Sequence, residues 1–278
     1  MLFEILKAII LGIVEGVTEF LPISSTGHLI LVDEFVKLSS DKAFTTTFEY
    51  VIQLGAIFAV VLLYWRRLWP FGSDKTEKQR FNIWATWVKV VVGVIPSVVI
   101  GFLLNDWMDQ HLMTWQVVSA ALIFYGIAFI LIENFQKNRK PRVSTVGHLT
   151  LGDVIKIGLF QVLSIIPGTS RSGATILGGL SIGVSREAAA EFSFFLSIPT
   201  MLGVSVLKIG SYLHDHGMFS GEQIAVLLVG MIVSFIIAYV VIKWLLKFIQ
   251  THDFKAFGWY RIILGVVVVI FGFLGVIH

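Results

Sequence analysis

The sequence predicts an all-α polytopic membrane protein with six transmembrane helices and two re-entrant helical hairpins, arranged as an inverted-topology repeat. Of its 278 residues, 56% are hydrophobic and only 14% are charged, whereas a soluble domain carries about 25% charged residues. Apolar stretches close to the roughly 20 residues that cross a bilayer recur along the whole chain. Two of these stretches are interrupted by polar residues, and the two halves of the chain resemble each other.

Composition also excludes several kinds of site. The chain contains no cysteine, so disulfides, thiolate metal ligands and a cysteine nucleophile are excluded. The formal net charge is only +3, and the basic residues are not clustered as a nucleic-acid-binding surface requires. We therefore expect membrane lipids as partners, and no nucleic acid.

Six segments are predicted to be full spans, because each is apolar over about the thickness of a bilayer. They are about 45–66, 84–104, 115–135, 189–210, 222–247 and 257–277. Tryptophans lie at or near several of their ends, as is typical of the membrane interface.

Two further apolar segments, about 1–37 and 150–185, are broken at Pro22–His28 and at Pro167–Gly173. Each break leaves two apolar arms of roughly 15 residues, too short for two spans. Irregular backbone at membrane depth persists only where protein or a water-filled cavity surrounds it. Both segments are therefore predicted to be re-entrant hairpins, with a single kinked span as the alternative for each.

The chain reads as one membrane domain, 1–278, with a first repeat at about 1–137 and a second at about 150–278. A shift of 146 positions aligns Gly12 with Gly158, Glu15 with Gln161, Ser24 with Ser170 and Gly27 with Gly173. Slightly smaller shifts align Val92–Ser97 with Val229–Ser234 and Gly126 with Gly265. Each half then holds one hairpin and three spans, and an odd number of crossings inverts the second half.

Loop charges predict the orientation. Lysine and arginine concentrate after the first and third spans and at the end of the fifth, whereas the opposite loops, about 105–114 and 211–221, contain none. Basic loops favour the cytoplasmic side. We therefore expect both termini outside, with the first hairpin entering from the outside and the second from the cytoplasm.

Ionisable residues at membrane depth are candidates for function. Glu15 and Glu19 are four positions apart, so their carboxylates share one helix face and repel each other. A shared proton, an arginine or a divalent cation must offset that repulsion, and Mg²⁺ or Ca²⁺ suits oxygen ligands. A solvated outer face is the other interpretation.

The second break places Arg171 among glycines and hydroxyls just before an apolar helix. Glycines let backbone N–H groups approach a ligand, a helix N-terminus favours anions, and an arginine fork suits phosphate. The candidate phosphate-binding residues are Ser24, Thr26, Gly168, Thr169, Ser170, Arg171, Ser172 and Thr175. The alternative role for Arg171 is to neutralise Glu15 or Glu19.

Ser25 lies three positions before His28, and a hydroxyl near an imidazole is the minimum for an activated nucleophile. Helix capping is the alternative explanation of such a Ser/Thr run. Elsewhere, Arg261 is expected to snorkel from its span to an interface.

The motifs Glu15–His28 and Pro167–Thr175 resemble those of the bacterial undecaprenyl-diphosphatases, the UppP/BacA or bacitracin-resistance type. With Glu191–Phe194 and the pattern of spans, the resemblance covers essentially the whole chain. It implies a hydrolase of the bacterial cytoplasmic (inner) membrane, with its active site facing the outer side. Undecaprenyl diphosphate would be converted to undecaprenyl phosphate and inorganic phosphate, which recycles the carrier lipid of peptidoglycan synthesis and confers bacitracin resistance.

The resemblance also implies catalytic roles for Glu15, Glu19, Ser25, His28 and Arg171. Glu15 and Glu19 would hold a divalent cation, Arg171 would bind the diphosphate, Ser25 would be the nucleophile and His28 its proton-transfer partner. Attack by a cation-activated water is the competing mechanism.

A secondary transporter or flippase of a polyprenyl phosphate is the competing function, because inverted repeats with paired broken helices are also a transporter plan. The sequence leaves open whether the protein forms a homodimer.

Overall fold

Within the described residues, every regular element of the protein is a helix. The structure, a computed structural model, describes residues 1–38 and 41–277, without the side chains of residues 105, 106, 109 and 110. In that part of the chain the α-helices are α1 (Leu2–Thr18), α2 (Ser25–Phe35), α3 (Lys42–Leu63), α4 (Trp65–Leu68), α5 (Glu77–Leu112), α6 (Trp115–Gln136), α7 (Leu151–Val162), α8 (Arg171–Ser181), α9 (Arg186–His216), α10 (Gly221–Phe248) and α11 (Lys255–Phe273). Short 3₁₀ turns lie at Val146–His148 and Leu163–Ile165.

Six of these helices, α3, α5, α6, α9, α10 and α11, are long and apolar enough to cross a membrane, and they coincide with the six predicted spans. Much of their apolar surface faces outward. Only 17% of the most apolar 18-residue stretch of α5 is buried, and Phe102 is 91% exposed. Soluble proteins rarely expose contiguous apolar surface on this scale. The chain is therefore a multi-pass membrane protein.

Two predicted outer loops are shorter than the sequence indicated. Helix α5 continues to Leu112 and α9 to His216, so the predicted loops at 105–114 and 211–221 begin as helix. Hydropathy marks only the residues that favour hydrocarbon, whereas the backbone hydrogen bonds of a helix continue through polar residues. Helix α9 ends at His216, and the next residue, Gly217, has a φ of 79°, a conformation that glycine adopts readily.

The two breaks in the sequence are also breaks in the helices. The flanking helices α1, α2, α7 and α8 have 17, 11, 12 and 11 residues. At a rise of 1.5 Å per residue, the longest reaches about 26 Å, which is short of the hydrocarbon core of about 30 Å. Such lengths suit re-entrant hairpins, whose course relative to a bilayer stays a prediction.

Each break ends in a serine with a left-handed backbone. Ser24 has φ 74° and Ser170 has φ 70°, a region that non-glycine residues rarely occupy. Each serine is the N-cap of the next helix, and its Oγ accepts the N–H of Gly27 or Gly173, at 3.2 and 3.1 Å respectively. The cap offsets part of the backbone strain. The same unusual conformation thus occurs at two positions that the predicted repeat aligns.

The closest helix contacts also involve residues that the predicted repeat aligns. A Cβ placed on Gly12 of α1 would lie 2.7 Å from the Gly230 carbonyl oxygen of α10, and one placed on Gly158 of α7 would overlap the Gly93 carbonyl oxygen of α5. The predicted repeat aligns Gly12 with Gly158 and Gly93 with Gly230, so each contact is the counterpart of the other. These small residues let the helix backbones approach closely. The contacts support the inverted repeat, which stays a prediction.

The packing of the helices brings the two breaks together. Helices α1 and α3 pack on α10, α7 packs on α5, and α6 packs on α11. The short helix α8 contacts α7, α9 and α6, while α2 contacts α1, α6 and α11. Both short helices therefore contact the α6–α11 pair, and both begin in the protein interior.

Candidate active site

The two breaks contact each other directly. Ser172 Oγ, at the start of α8, lies 3.1 Å from the carbonyl oxygens of both Glu19 and Leu21 in the first break. The neighbouring Arg171 donates from Nη2 to Glu19 Oε1 at 3.2 Å. Residues 152 positions apart in the sequence therefore form one polar centre inside an apolar protein.

Ser25 is tied to this centre through Glu19. The half-buried Ser25 donates from Oγ to Glu19 Oε2 at 2.9 Å, while the other oxygen of that carboxylate accepts from Arg171. One carboxylate thus joins the predicted nucleophile to the predicted phosphate-binding arginine. Among the described contacts no hydrogen bond joins Ser25 to His28, although both lie on α2.

His28 has other partners. Its Nδ1 lies 2.7 Å from the Ser24 carbonyl oxygen, and its Nε2 lies 2.7 Å from the Tyr260 hydroxyl. A carbonyl oxygen only accepts, so we assign the proton to Nδ1, and Nε2 then accepts the hydrogen of Tyr260. The two rings also stack, with centroids 5.6 Å apart. Nε2 is therefore the basic atom of His28.

Arg171 is held on several sides. Its side chain is 10% exposed, and Nη1 donates to the Ser193 carbonyl oxygen of α9 at 2.8 Å. Its guanidinium carbon lies 5.9 Å from the centre of the Phe20 ring. Its Nε has no hydrogen-bond partner among the described residues. The fork is thus fixed in direction, and one buried donor remains for a ligand.

Glu15 is the least satisfied polar group of the centre. It is 0% exposed, and neither carboxylate oxygen has a hydrogen-bond partner among the described residues. The Glu19 N–H donates to the Glu15 carbonyl oxygen at 3.0 Å, so the two carboxylates are one helical turn apart. A buried carboxylate without donors is costly, and a cation would satisfy it.

The donor set fits a hard divalent cation held partly by its substrate. Within residues 1–38 and 41–277, no group of three or more His, Asp or Glu could hold a metal ion. Mg²⁺ is commonly bound by one or two carboxylates together with phosphate oxygens of a substrate. Glu15 and Glu19 match that pattern, and the role of the cation stays a prediction.

Several predicted phosphate-binding hydroxyls are engaged within the protein. Ser24 and Ser170 cap their helices, Ser172 joins the two breaks, and Thr175 Oγ1 lies 2.7 Å from Ser193 Oγ. Thr175 is fully buried, so its hydroxyl secures α8 against α9. These residues shape the site, and their contact with phosphate stays a prediction.

The three remaining candidate phosphate-binding residues differ in how deeply they are buried. Gly168 and Thr169 are buried, and their carbonyl oxygens accept hydrogen bonds from Arg261. Thr26 is half-buried beside Ser25 in the first turn of α2. Thr169 Oγ1 is itself buried without a hydrogen-bond partner among the described residues, so the contact of Thr169 with phosphate, like that of Thr26, stays a prediction.

Sequence reasoning missed two residues of the last span. Tyr260 had no signal, because an aromatic residue near the end of a span is common at a membrane interface. The expectation that Arg261 snorkels is wrong, because its side chain is 0% exposed and donates to carbonyl oxygens of both breaks. The position of Arg261 inside an apolar span was a signal of a functional role. Its burial was not predictable, because the residues that cover it come from distant segments of the chain.

The fold and the site together define a class: a polytopic helical membrane protein whose interior holds hydroxyl, carboxylate, imidazole and guanidinium groups contributed by two helix breaks. The chain belongs to the family described as bacitracin resistance protein BacA, which matches residues 8–267.

Individual relatives extend the similarity to the full chain. A protein named undecaprenyl-diphosphatase 1, from Oenococcus oeni, is 85% identical over 277 residues, which cover 100% of this chain and 100% of the relative. Proteins named undecaprenyl-diphosphatase from Lacticaseibacillus paracasei and Leuconostoc citreum are 60% and 54% identical. Those matches cover 98% and 99% of this chain, and 100% and 99% of the relatives.

Proposed function

We propose that the protein is an undecaprenyl-diphosphatase, a hydrolase that converts undecaprenyl diphosphate to undecaprenyl phosphate and inorganic phosphate. The reaction would recycle the carrier lipid of peptidoglycan synthesis and confer resistance to bacitracin. The observation that carries the proposal is the chain of hydrogen bonds from Ser25 through Glu19 to Arg171, at 2.9 and 3.2 Å. It joins the three side chains to which the proposal gives the roles of nucleophile, proton acceptor and phosphate-binding cation.

In the first step, Ser25 Oγ attacks the terminal phosphorus of the diphosphate. Its proton passes to Glu19 Oε2, the atom that it already contacts. The bond from that phosphorus to the bridging oxygen breaks, undecaprenyl phosphate leaves, and Ser25 carries the phosphoryl group. Phosphoryl transfer depends mainly on positioning and charge stabilisation, which the guanidinium of Arg171 supplies to the phosphoryl oxygens.

In the second step, water attacks the phosphorus of phosphorylated Ser25. The water proton passes to His28 Nε2, the basic atom of the ring, while Ser25 Oγ leaves and recovers its proton from Glu19. His28 then gives its proton to the departing inorganic phosphate, so each group regains its starting protonation state. Inorganic phosphate is released. This division of labour assigns the two proton transfers to different groups, because Ser25 contacts Glu19 and not His28.

Glu15 and Glu19 would hold the divalent cation, Mg²⁺ or Ca²⁺, which neutralises phosphate charge when it is bound. The two unpartnered oxygens of buried Glu15 support this assignment. Glu15 lies in the last turn of α1 and Glu19 directly follows that helix, so both lie at the edge of the break that holds Ser25.

The membrane setting follows from charge and burial. We place the protein in the bacterial cytoplasmic membrane, as the family resemblance implies. Both termini would lie outside, because lysine and arginine concentrate after the first and third spans and at the end of the fifth, and basic loops favour the cytoplasmic side. The site would face the outer side, where the first hairpin enters, and the prenyl chain of the substrate would lie among the exposed apolar helix faces. A homodimer is compatible with such faces.

The test is phosphate release from undecaprenyl diphosphate by the purified protein in detergent. We expect Ser25→Ala to lower kcat by about a thousandfold or more, as loss of a nucleophile does, and chelator to stop the reaction. Mass spectrometry of acid-quenched enzyme should find phosphoserine at position 25. Ser211→Ala, at the exposed end of α9, is the matched control and should retain full activity.

Full activity of Ser25→Ala would exclude the serine mechanism. Release of the lipid diphosphate chemically unchanged would instead support a transporter or flippase. The relatives' names describe hydrolases, so that alternative is not favoured.

A further inference from the structure

Arg261 is a charged side chain that the proposed mechanism does not use. It lies on α11, inside a candidate span, and its side chain is fully buried. Nη1 donates to the Pro22 carbonyl oxygen of the first break at 3.2 Å. Nη2 donates to the carbonyl oxygens of Gly168 and Thr169 in the second break, at 2.8 and 2.9 Å. One guanidinium therefore connects both breaks.

The charge of Arg261 has no carboxylate partner. No ion pair involves it within residues 1–38 and 41–277, and its guanidinium carbon lies 5.7 Å from the Tyr125 ring centre. Its Nε is buried without a hydrogen-bond partner. By contrast, the charge of Arg171 is already opposed by Glu19. A buried, uncompensated cation is unfavourable unless an anion joins it in the working protein.

Packing alone does not explain an arginine at this place. A Cβ placed on Gly173, in the first turn of α8, would lie 3.0 Å from Arg261 Nη1. A Cβ placed on Gly27, in the first turn of α2, would lie 3.1 Å from Leu122 Cδ1. Leu122 on α6 is fully buried. At matching positions beside the two short helices, one half of the protein thus has leucine and the other half has arginine.

Arg261 also sets the direction of a peptide group in the second break. In a trans peptide the C=O and the N–H point to opposite sides. Because the Thr169 carbonyl points at Arg261, the N–H of Ser170 points away from it. Among the described residues, that N–H has no hydrogen-bond acceptor in the protein. A free amide donor therefore sits next to Arg171, at the N-terminal end of α8, where anions are favoured.

We propose that Arg261 is a positioning residue of the diphosphate site, one that joins the two breaks and whose charge is balanced by the bound diphosphate. The inference rests on the proposed function. The positive charges of Arg171 and of the proposed cation are offset by Glu15 and Glu19. The charge of Arg261 is offset by no carboxylate among the described residues. It acts through the carbonyl groups that it holds and through its field, and not by direct contact with the reacting phosphorus.

The experiment measures binding without turnover. Calorimetry in detergent with excess chelator compares farnesyl diphosphate with farnesyl monophosphate, for wild type and for Arg261→Leu and Arg261→Lys. The leucine variant copies Leu122 of the other half, and the lysine variant keeps the charge. Arg139→Leu, which removes an exposed cation, is the control. Circular dichroism and thermal unfolding establish that each variant is folded.

We expect Arg261→Leu to weaken diphosphate binding by about 10- to 100-fold, the size typical of a lost interaction with a charged group. Monophosphate binding should weaken less, because fewer negative charges need balance. Arg261→Lys should recover most of the diphosphate affinity. In the turnover assay with cation, Arg261→Leu should raise KM more than it lowers kcat.

Three results would overturn the inference: a folded Arg261→Leu protein with diphosphate affinity within twofold of wild type, equal losses for both ligands, or no recovery with lysine. If the leucine variant does not fold, the diphosphate affinity of Arg261→Lys is compared directly with that of wild type. A loss of affinity as large as that of Arg171→Ala would then contradict the inference. Wild type that binds diphosphate but releases no phosphate would overturn the proposed function alone.

Discussion

Replacing Glu15 by glutamine should separate the stability of this protein from its activity. Glu15→Gln keeps the shape of the side chain and removes the acidic group where two carboxyl groups face one ion-paired arginine. Both Glu15 oxygens are buried without a partner among the described residues. A buried unsatisfied group costs about 1–3 kcal/mol, and more when it is charged. We expect the variant to be more stable than wild type when divalent cations are absent.

The other half of the protein indicates where the new amide would bind. Gln161 aligns with Glu15 in the predicted repeat, and its Nε2 donates to Ser97 Oγ at 2.6 Å. Ser97 aligns with Ser234, whose buried Oγ has no partner among the described residues. Ser234 also packs against α1, because a Cβ on Gly16 would lie 2.7 Å from its carbonyl oxygen. A hydrogen bond to Ser234 would add about 0.5–1.5 kcal/mol.

The assay is thermal unfolding of the purified protein in detergent with chelator. The two gains together are about 1.5–4.5 kcal/mol, so at about 2–4 °C per kcal/mol the unfolding temperature of Glu15→Gln should rise by about 3–18 °C. Added Mg²⁺ or Ca²⁺ should stabilise wild type, because a ligand of the native state favours folding. It should not stabilise the variant, whose phosphate release should fall by at least about tenfold. Asp74→Asn, at an exposed position in the turn before α5, should change neither quantity.

An unfolding temperature at or below that of wild type in chelator would refute the reasoning, because Glu15 would then have a stabilising partner. If wild type gains no stability from either cation, the assignment of the cation to Glu15 and Glu19 is wrong.

Two further predictions concern the last span, α11, and its contact with α6. Tyr260→Phe keeps the ring that stacks on His28 but removes the hydroxyl 2.7 Å from Nε2. We expect kcat to fall by about 2- to 10-fold and the pH dependence of kcat to change, while the unfolding temperature stays the same. An unaltered pH dependence would show that this hydroxyl does not influence His28. Gly126→Ala would place a Cβ 2.7 Å from the Gly258 carbonyl oxygen between α6 and α11, which should destabilise the protein by about 1–3 kcal/mol. Gly210→Ala, where nothing lies within 4 Å, is the control, and equal unfolding temperatures for both variants would contradict the packing argument.

The spans were predictable because hydropathy depends on local composition. Six apolar segments were located to within a few residues at most ends, and the misplaced ends of α5 and α9 are polar turns that continue a helix beyond hydrocarbon. The two breaks were predictable for a related reason: proline, glycine and hydroxyl residues interrupt an apolar run in any context. Neither inference needed to know which helices become neighbours.

The composition of the site was predictable, but its connections were not. Spacing placed Glu15 and Glu19 on one helix face, and it placed Ser25 near His28. It could not show that Ser25 turns to Glu19, because side-chain direction depends on partners from other segments. His28 is held by Tyr260, 232 positions away, and no local pattern contains that pair.

Arg261 shows most clearly which features the sequence determined and which depended on tertiary structure. By itself, the sequence determined an all-α membrane protein with two polar breaks and a set of residues suited to an anion, because hydrophobicity and backbone preference act over short stretches of chain. Only the tertiary structure decided that a span arginine lies buried between both breaks and that Glu19 links Ser25 to Arg171. Burial and hydrogen bonding depend on atoms brought together from distant parts of the chain, and those contacts exist only once the helices have packed.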